Sequence, residues 1–335
     1  MTKFNQISFI RGLLRFSPRQ LANERRAANY IVSVLRQHGI PFTLQRFQTT
    51  VPEARRADLF ADGRRIPCQN TGYVGGEITT KSYFLSSLIP SRFFIRERNI
   101  NFNPACPRTI SCSNFYFAPS VAIPRNAVKT VLRAKRIRAR TVVVPRKHRV
   151  PNILVGNRKN PRVICFAHYD SINKGAIDNA SGVATIMAAV IENPHILRYG
   201  LFVFAANEEL SYDQPTYWGR GYRVFERRMP RLLRAAQKII VIDSLGYGPA
   251  IVTQDKKLQY LAFPIRGIKS LAKKTYVMCG DFDQLMTVYH SDADDVRGLD
   301  HRYLEDGVRR LIRLTGGDGL PHQRVDASET VALGD

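Results

Sequence analysis

RVICFAHYD (residues 162–170) decides the fold. From Val163 to Ala167 every side chain is apolar, with no alternation, and the run then stops on His168, Tyr169 and Asp170. A strand with one wet face alternates apolar and polar residues, so an unbroken run this short points to a strand covered on both faces. LFVFAANEE (201–209) and KIIVIDSLG (238–246) repeat the pattern: an apolar core, then acidic residues. Helical periodicity fills the gaps, in SGVATIMAAVIE (181–192) and in a basic stretch from Phe225 to Gln237. TYVMCGDFDQLMTVYH (275–290) opens with a further strand, and HRYLEDGVRRLIRL (301–314) reads as a closing helix. Strands alternating with helices predict an α/β fold, a doubly wound, mostly parallel sheet with helices on both faces.

Upstream, residues 19–38 form an amphipathic pattern carried by Leu21, Ala28, Ile31, Val32 and Leu35, with Gly39 as the stop, and FTLQRF (42–47) follows as a strand. Between residues 50 and 150 the character changes to short β-like runs, prolines, many Phe and Tyr, and Gly72, Gly75 and Gly76. The expected organisation is a catalytic domain from residues 1–50 and 150–315. A β-rich inserted subdomain spans 51–149, with one helix near Asn126 to Lys135, and a Gly- and Asp-rich flexible tail spans 316–335.

Of the 335 residues 44% are hydrophobic, enough for a sizeable core, and no run approaches the roughly 20 apolar residues that span a bilayer. Arg11 and Arg15 interrupt the N-terminal apolar residues, so no secretory signal is expected. Five cysteines without C-x-x-C spacing fit neither a disulfide framework nor a cysteine zinc site, and a reducing, cytoplasmic compartment is expected. The formal charge of +24 is the odd bulk property. Its arginines come largely as scattered pairs rather than one stripe, and no zinc finger or RNA-binding signature accompanies them, so no specific nucleic acid is expected. The densest stretch, VLRAKRIRARTVVVPRKHR (131–149), alternates basic and apolar residues as a half-exposed strand does.

The chemistry sits where the buried strands end. In open α/β sheets ligands lie outside the carboxyl ends of the strands. His168 and Asp170, Glu208 and Glu209, and Asp243 would therefore meet in one place. Clustered carboxylates desolvate badly unless cations hold them, and a mixed imidazole and carboxylate set suits zinc. Asp170 is placed to orient His168. Asp178, in the loop KGAIDNASG (174–182), would by itself read as a helix cap, but Asn179 or Ser181 could cap instead. His290 in VYHSDAD (288–294) has Asp294 four residues on as a possible orienting partner.

FAHYDS, GAIDNASGVA, FAANEEL, VIDSLG and YHSDAD stand in the order found in the two-zinc aminopeptidase family, whose relatives include glutaminyl cyclase and the glutamate carboxypeptidases. The sequence resembles that family over residues 15–315. ADLFADGRRIP and FAPSVAIPRNAVKTVLRAKR look like the protease-associated module that many members carry. The resemblance implies a zinc exopeptidase acting on peptide substrates. His168 and Asp243 would hold one zinc, Glu209 and His290 a second, and Asp178 would bridge them; Glu208 would be the general base and Asp170 would orient His168. Two departures bear on the substrate pocket: LSYDQPTYWGRGYRVFE follows the glutamate pair, and the segment from Asp243 to His290 is short. Tyr217, Trp218 and Tyr247 could line that pocket or pack in the core. A single-zinc glutaminyl-peptide cyclase and a non-catalytic binding homologue are the alternatives.

Overall fold

The structure is a computed structural model that describes residues 3–80, 84–87, 96–107 and 109–316. Its strands are β1 (Phe42–Ala61), β2 (Arg64–Ile66), β3 (Gln69–Asn70), β4 (Gly76–Ile78), β5 (Phe84–Ser86), β6 (Asn99–Phe102), β7 (Ser120–Ala122), β8 (Ile137–Gly156), β9 (Val163–His168), β10 (Gly200–Ala205), β11 (Lys238–Asp243), β12 (Ile251–Thr253) and β13 (Thr275–Cys279). The main sheet runs β12-β13-β11-β9-β10-β8-β1-β2, with β4 also paired to β8. The centre is parallel, β9 lying between β10 and β11 and β11 beside β13. The margins, β8, β1, β2 and β12, pair antiparallel. The expected doubly wound α/β sheet is therefore a mixed one, parallel where the apolar runs lie.

The unbroken apolar runs follow from having two cores. Along β9, Val163, Cys165 and Ala167 enter one core while Ile164 and Phe166 enter the other. β10 and β11 alternate in the same way. The first core is closed by helices Gln6–Leu14, Ala22–Gln37, Gly182–Glu192 and His301–Thr315, the second by Arg220–Arg228, Pro230–Ala235 and Ile268–Leu271. Opposite faces of each strand thus meet helices, and no position on them is free for a polar residue until the strand ends. The expected helix from Phe225 to Gln237 is two helices that break at Met229, because Pro230 cannot continue the ladder of the first but suits the start of the second.

β1 and β8 are each twenty residues long and run past the body as an antiparallel ribbon, from Phe42 opposite Val155 to Ala61 opposite Ile137, with a register shift between Ala54 and Arg56. The described residues between β1 and β8 gather on its far end around Leu59, Ile66, Ile78, Ile100, Val121 and Val131. A second sheet there has the order β3-β7-β6-β5 among the described residues, and the expected helix is Val128–Arg133. Of the expected tail, residues 317–335 lie outside the described residues. Among the described residues no helix is long and apolar enough to cross a membrane.

Candidate metal centre

The carboxyl ends of the parallel strands carry the predicted residues to one buried place. β9 ends on His168 and β11 on Asp243. After β10 the chain turns at Asn207, whose φ is 50°, and presents Glu208 and Glu209. Asp178 arrives on the segment Ala176–Ser181 that feeds helix Gly182–Glu192, and His290 on a turn where its own φ is 49°. Asp178 lies between the two imidazoles, Oδ1 3.1 Å from His168 Nε2 and Oδ2 3.3 Å from His290 Nε2. Asp243 Oδ1 lies 3.8 Å from His168 Nε2, and Glu209 Oε2 2.9 Å from His290 Nε2. One ligand atom from each of His168, Asp178 and Glu209 falls within 4.8 Å of the others.

The electrostatics fit a cation. Burial and the neighbouring carboxylates push Glu208 well above the usual carboxylate range, and burial also raises Glu209 and Asp243. Burial raises Asp178 as well, but the two imidazoles on its oxygens more than offset this and hold it down. For His168 and His290 burial opposes a charge, yet the carboxylates around them prevail and raise both. The cluster thus takes up protons where it has nothing else to neutralise it. Glu209 Oε1 is buried without a hydrogen-bond partner. Buried polar atoms left so are costly, and imidazole nitrogen facing carboxylate oxygen is the donor set zinc takes.

The supports differ in part from those the sequence suggests. Asp170 lies near His168, its Oδ1 3.6 Å from Nδ1, but its stronger contacts are elsewhere: Glu208 N and Glu209 N each donate to it at 2.9 Å. It clamps the backbone that carries the glutamate pair. Asp294 makes the matching clamp on the other side, accepting from Ile177 N at 2.6 Å and Asp178 N at 3.1 Å. It is therefore the partner of the Asp178 turn. His290 Nδ1 instead faces the carbonyl oxygen of Cys112, at 3.0 Å, and Cys112 N and Asn173 Nδ2 both donate to His290 O. A brace from the segment between β6 and β7 thus orients a residue of the centre. Asn179 does the capping left open for it, Oδ1 accepting from Gly182 N at 3.1 Å, and Asp178 remains turned to the imidazoles.

Two buried charges behind the centre escape a reading by motif. Arg19 is fully buried and donates to three carbonyls, Tyr169 O through Nε (2.6 Å), Lys174 O through Nη1 (2.9 Å) and Gly175 O through Nη2 (2.8 Å). Burial lowers its pKa to about 10 against the pull of Asp294 and Asp170. Gly175 has φ 66°, and a Cβ there would stand 2.4 Å from Asp178 O, so only glycine fits between the guanidinium and that turn. Glu24 Oε1 accepts from Asn207 N at 2.6 Å, and its Oε2 lies 2.9 Å from His148 Nε2. Glu24 was legible in principle, since it stands four residues before Ala28 on the apolar stripe of its helix. The aromatic candidates divide: Tyr217 packs with Tyr73 and Phe115, Trp218 lies edge-on to Tyr217, and Tyr247 joins Ile177, Leu285 and Met286 beside the Asp178 turn.

Comparison with known proteins agrees with this geometry. Residues 150–219, which include His168, Asp170, Asp178, Glu208 and Glu209, match Peptidase family M28. No curated protein matches the chain in sequence. The fold is similar to that of a zinc aminopeptidase from Bacillus subtilis, at 16% identity over 93% of this chain and 94% of that one, with a TM-score of 0.66. A peptidase M28 precursor from Shewanella amazonensis SB2B is similar at 15% identity, 92% of each chain and TM-score 0.62. An aminopeptidase from Aneurinibacillus sp. strain AM-1 is similar at 14% identity, 92% of each chain and TM-score 0.58.

Proposed function

We propose, on the premise that residues 150–219 carry the pattern of Peptidase family M28, that this protein is a zinc-dependent exopeptidase that removes N-terminal residues from peptides. The observation that carries the reading is Asp178 set between His168 and His290, with Asp243 beside the first imidazole and Glu209 beside the second. Those five residues would hold two zinc ions, Asp178 shared between them. Zinc bound there supplies Lewis acidity that polarises a scissile carbonyl and makes water a nucleophile near neutral pH.

The remaining work falls to the chain. Glu208 is held at the edge of the cluster by Asp170, yet makes none of the close contacts to the imidazoles that Glu209 and Asp178 make. Its carboxylate takes the proton of the attacking water and hands it to the departing amine nitrogen. The buried surroundings limit competing water around the reacting atoms. Peptide-bond hydrolysis here needs no covalent enzyme intermediate.

The clearest test is Glu208→Gln, assayed on a leucine anilide with metal content measured alongside. The expected outcome is an unchanged metal content with turnover reduced by about 10²–10⁴; full turnover removes Glu208 from the role. A glutamine-initiated peptide in the same assay separates the readings: cyclisation in place of hydrolysis would favour the single-zinc cyclase. The placing of Asp178 and Asp243 beside His168, and of Asp178 and Glu209 beside His290, supports the two-metal hydrolase.

A further inference from the structure

The segment between β6 and β7 is polar in sequence yet buried in the fold. It contains Asn103, Ser111, Ser113 and Asn114, and all four are shielded from solvent. Buried polar groups must find partners, and those of Asn103 and Ser111 lie far along the chain, on the turn that carries His290. That turn follows helix Phe282–Met286 and answers some of its carbonyls itself: Gln284 O accepts from Thr287 N, Leu285 O from Val288 N and Val288 O from Ser291 Oγ. The carbonyls of Met286, Tyr289 and His290 are answered from outside it. Asn103 Nδ2 donates to Met286 O at 2.9 Å, Ser111 Oγ to Tyr289 O at 2.5 Å, and Cys112 N to His290 O at 3.0 Å.

The proton count closes. A carbonyl oxygen only accepts, so the one hydroxyl proton of Ser111 goes to Tyr289 O. Ser111 Oγ then accepts from Asn103 Nδ2 at 3.0 Å and from Ser113 Oγ at 2.7 Å. Asn103 uses its two amide protons on Ser111 and Met286 O, while its Oδ1 accepts from Ala105 N at 2.9 Å. The same rule fixes the ring of His290. Cys112 O, 3.0 Å from Nδ1, can only accept, so Nδ1 carries a proton and Nε2 is left to face Asp178 and Glu209. That orientation needs a backbone held at φ 49°, a conformation that a histidine keeps only where its surroundings over-determine it. The Tyr289 ring also stacks on the imidazole, centroids 3.7 Å apart, so a hold on Tyr289 steadies the ring plane. We propose that Asn103 and Ser111 are positioning residues of the metal centre: they hold His290 through the Met286 and Tyr289 carbonyls, and so set the zinc affinity of the site that Glu209 and His290 would complete. The inference rests on the zinc reading of the centre, although neither residue is hydrogen-bonded to a side chain of that centre.

The test is zinc affinity of the full chain by chelator competition, with Ser111→Ala and Asn103→Ala. Each should weaken one of the two sites by about 10-fold and leave the other unchanged. Ser111→Cys, which keeps a weaker donor, should fall between native and Ser111→Ala. In a Glu209→Gln background, where that site is already lost, Ser111→Ala should add nothing. Asn114→Ala removes a buried hydrogen bond of the same segment, to Ser87 O, and should leave both sites unchanged; thermal melts confirm that the variants fold. A second readout needs no metal. The Nδ1–H of His290 should give a slowly exchanging proton resonance in the native chain and in Asn114→Ala, and Ser111→Ala and Asn103→Ala should broaden or abolish it. Unaltered zinc affinity in both variants would overturn the proposal. So would a ring resonance that both leave intact, or a loss of zinc in Asn114→Ala as large as theirs. A native chain that takes up no zinc would instead sink the peptidase reading, and the ring resonance would still decide whether Asn103 and Ser111 hold His290.

Discussion

The two sides of the metal centre are held by different means. His168 and Asp243 are the last residues of buried parallel strands, so the sheet itself fixes them. Glu209 and His290 sit on turns and are fixed by borrowed groups: Asp170 for the glutamate pair, and the backbone of Cys112 with Asn173 for His290. The sheet side needs few dedicated contacts because moving it would disturb two cores. The turn side depends on a few hydrogen bonds, two of them with Cys112. The difference predicts where the centre is fragile.

The largest effect is expected at Arg19, which ties the loop after β9 to the Asp178 turn. Arg19→Met leaves the carbonyls of Tyr169, Lys174 and Gly175 without their donor and removes a buried cation. A loss of about 3–5 kcal/mol is expected in denaturant unfolding, with Arg19→Lys between the two. No loss would mean the loop is held by other contacts.

Glu24 probes the turn side through pH. Burial raises its pKa from 4.5 to about 7, so between those values the folded protein holds a proton that the unfolded chain has released. Stability therefore falls as pH rises through that window, by about 3 kcal/mol at most, and is unaffected by Glu24 below it. Glu24→Gln should flatten the melting temperature between pH 5 and 8; an unchanged slope would assign the pH dependence elsewhere.

The smaller effects compare the two clamps. Asp170→Asn and Asp294→Asn each place an amide donor against a backbone N–H, and each should weaken zinc affinity by about 10–100-fold in a chelator competition. The comparison sharpens if Asp170→Asn disturbs only the zinc site that Glu209 would complete, since its clamp serves the glutamate pair, while Asp294→Asn disturbs both through Asp178. Identical behaviour of the two variants would break it.

This asymmetry also sets what the sequence disclosed. His168, Glu208, Glu209 and Asp243 were legible because a buried strand tolerates no polar residue, so the polar residues that follow each apolar run mark the strand's end. The parallel centre of the sheet was legible for the same reason, but its antiparallel margin was not, because alternation and turns in the ribbon do not fix pairing direction. Asp294 was associated with His290 on spacing alone, yet an irregular segment does not keep a helix's four-residue step, and its carboxylate meets the Asp178 turn instead. The Cys112 carbonyl carries no side-chain signal at all. Arg19 lies in a polar stretch before a helix, where nothing local marks an arginine as buried.

The central claim is that five side chains distant in the chain share a pair of ions through Asp178. Zinc titrated into metal-free protein, read by calorimetry and by elemental analysis after desalting, tests it directly. The expected result is two zinc ions per chain for the native sequence and no more than one for Asp178→Asn. A native stoichiometry of one, or an Asp178→Asn variant that retains both ions with undiminished affinity, would contradict it.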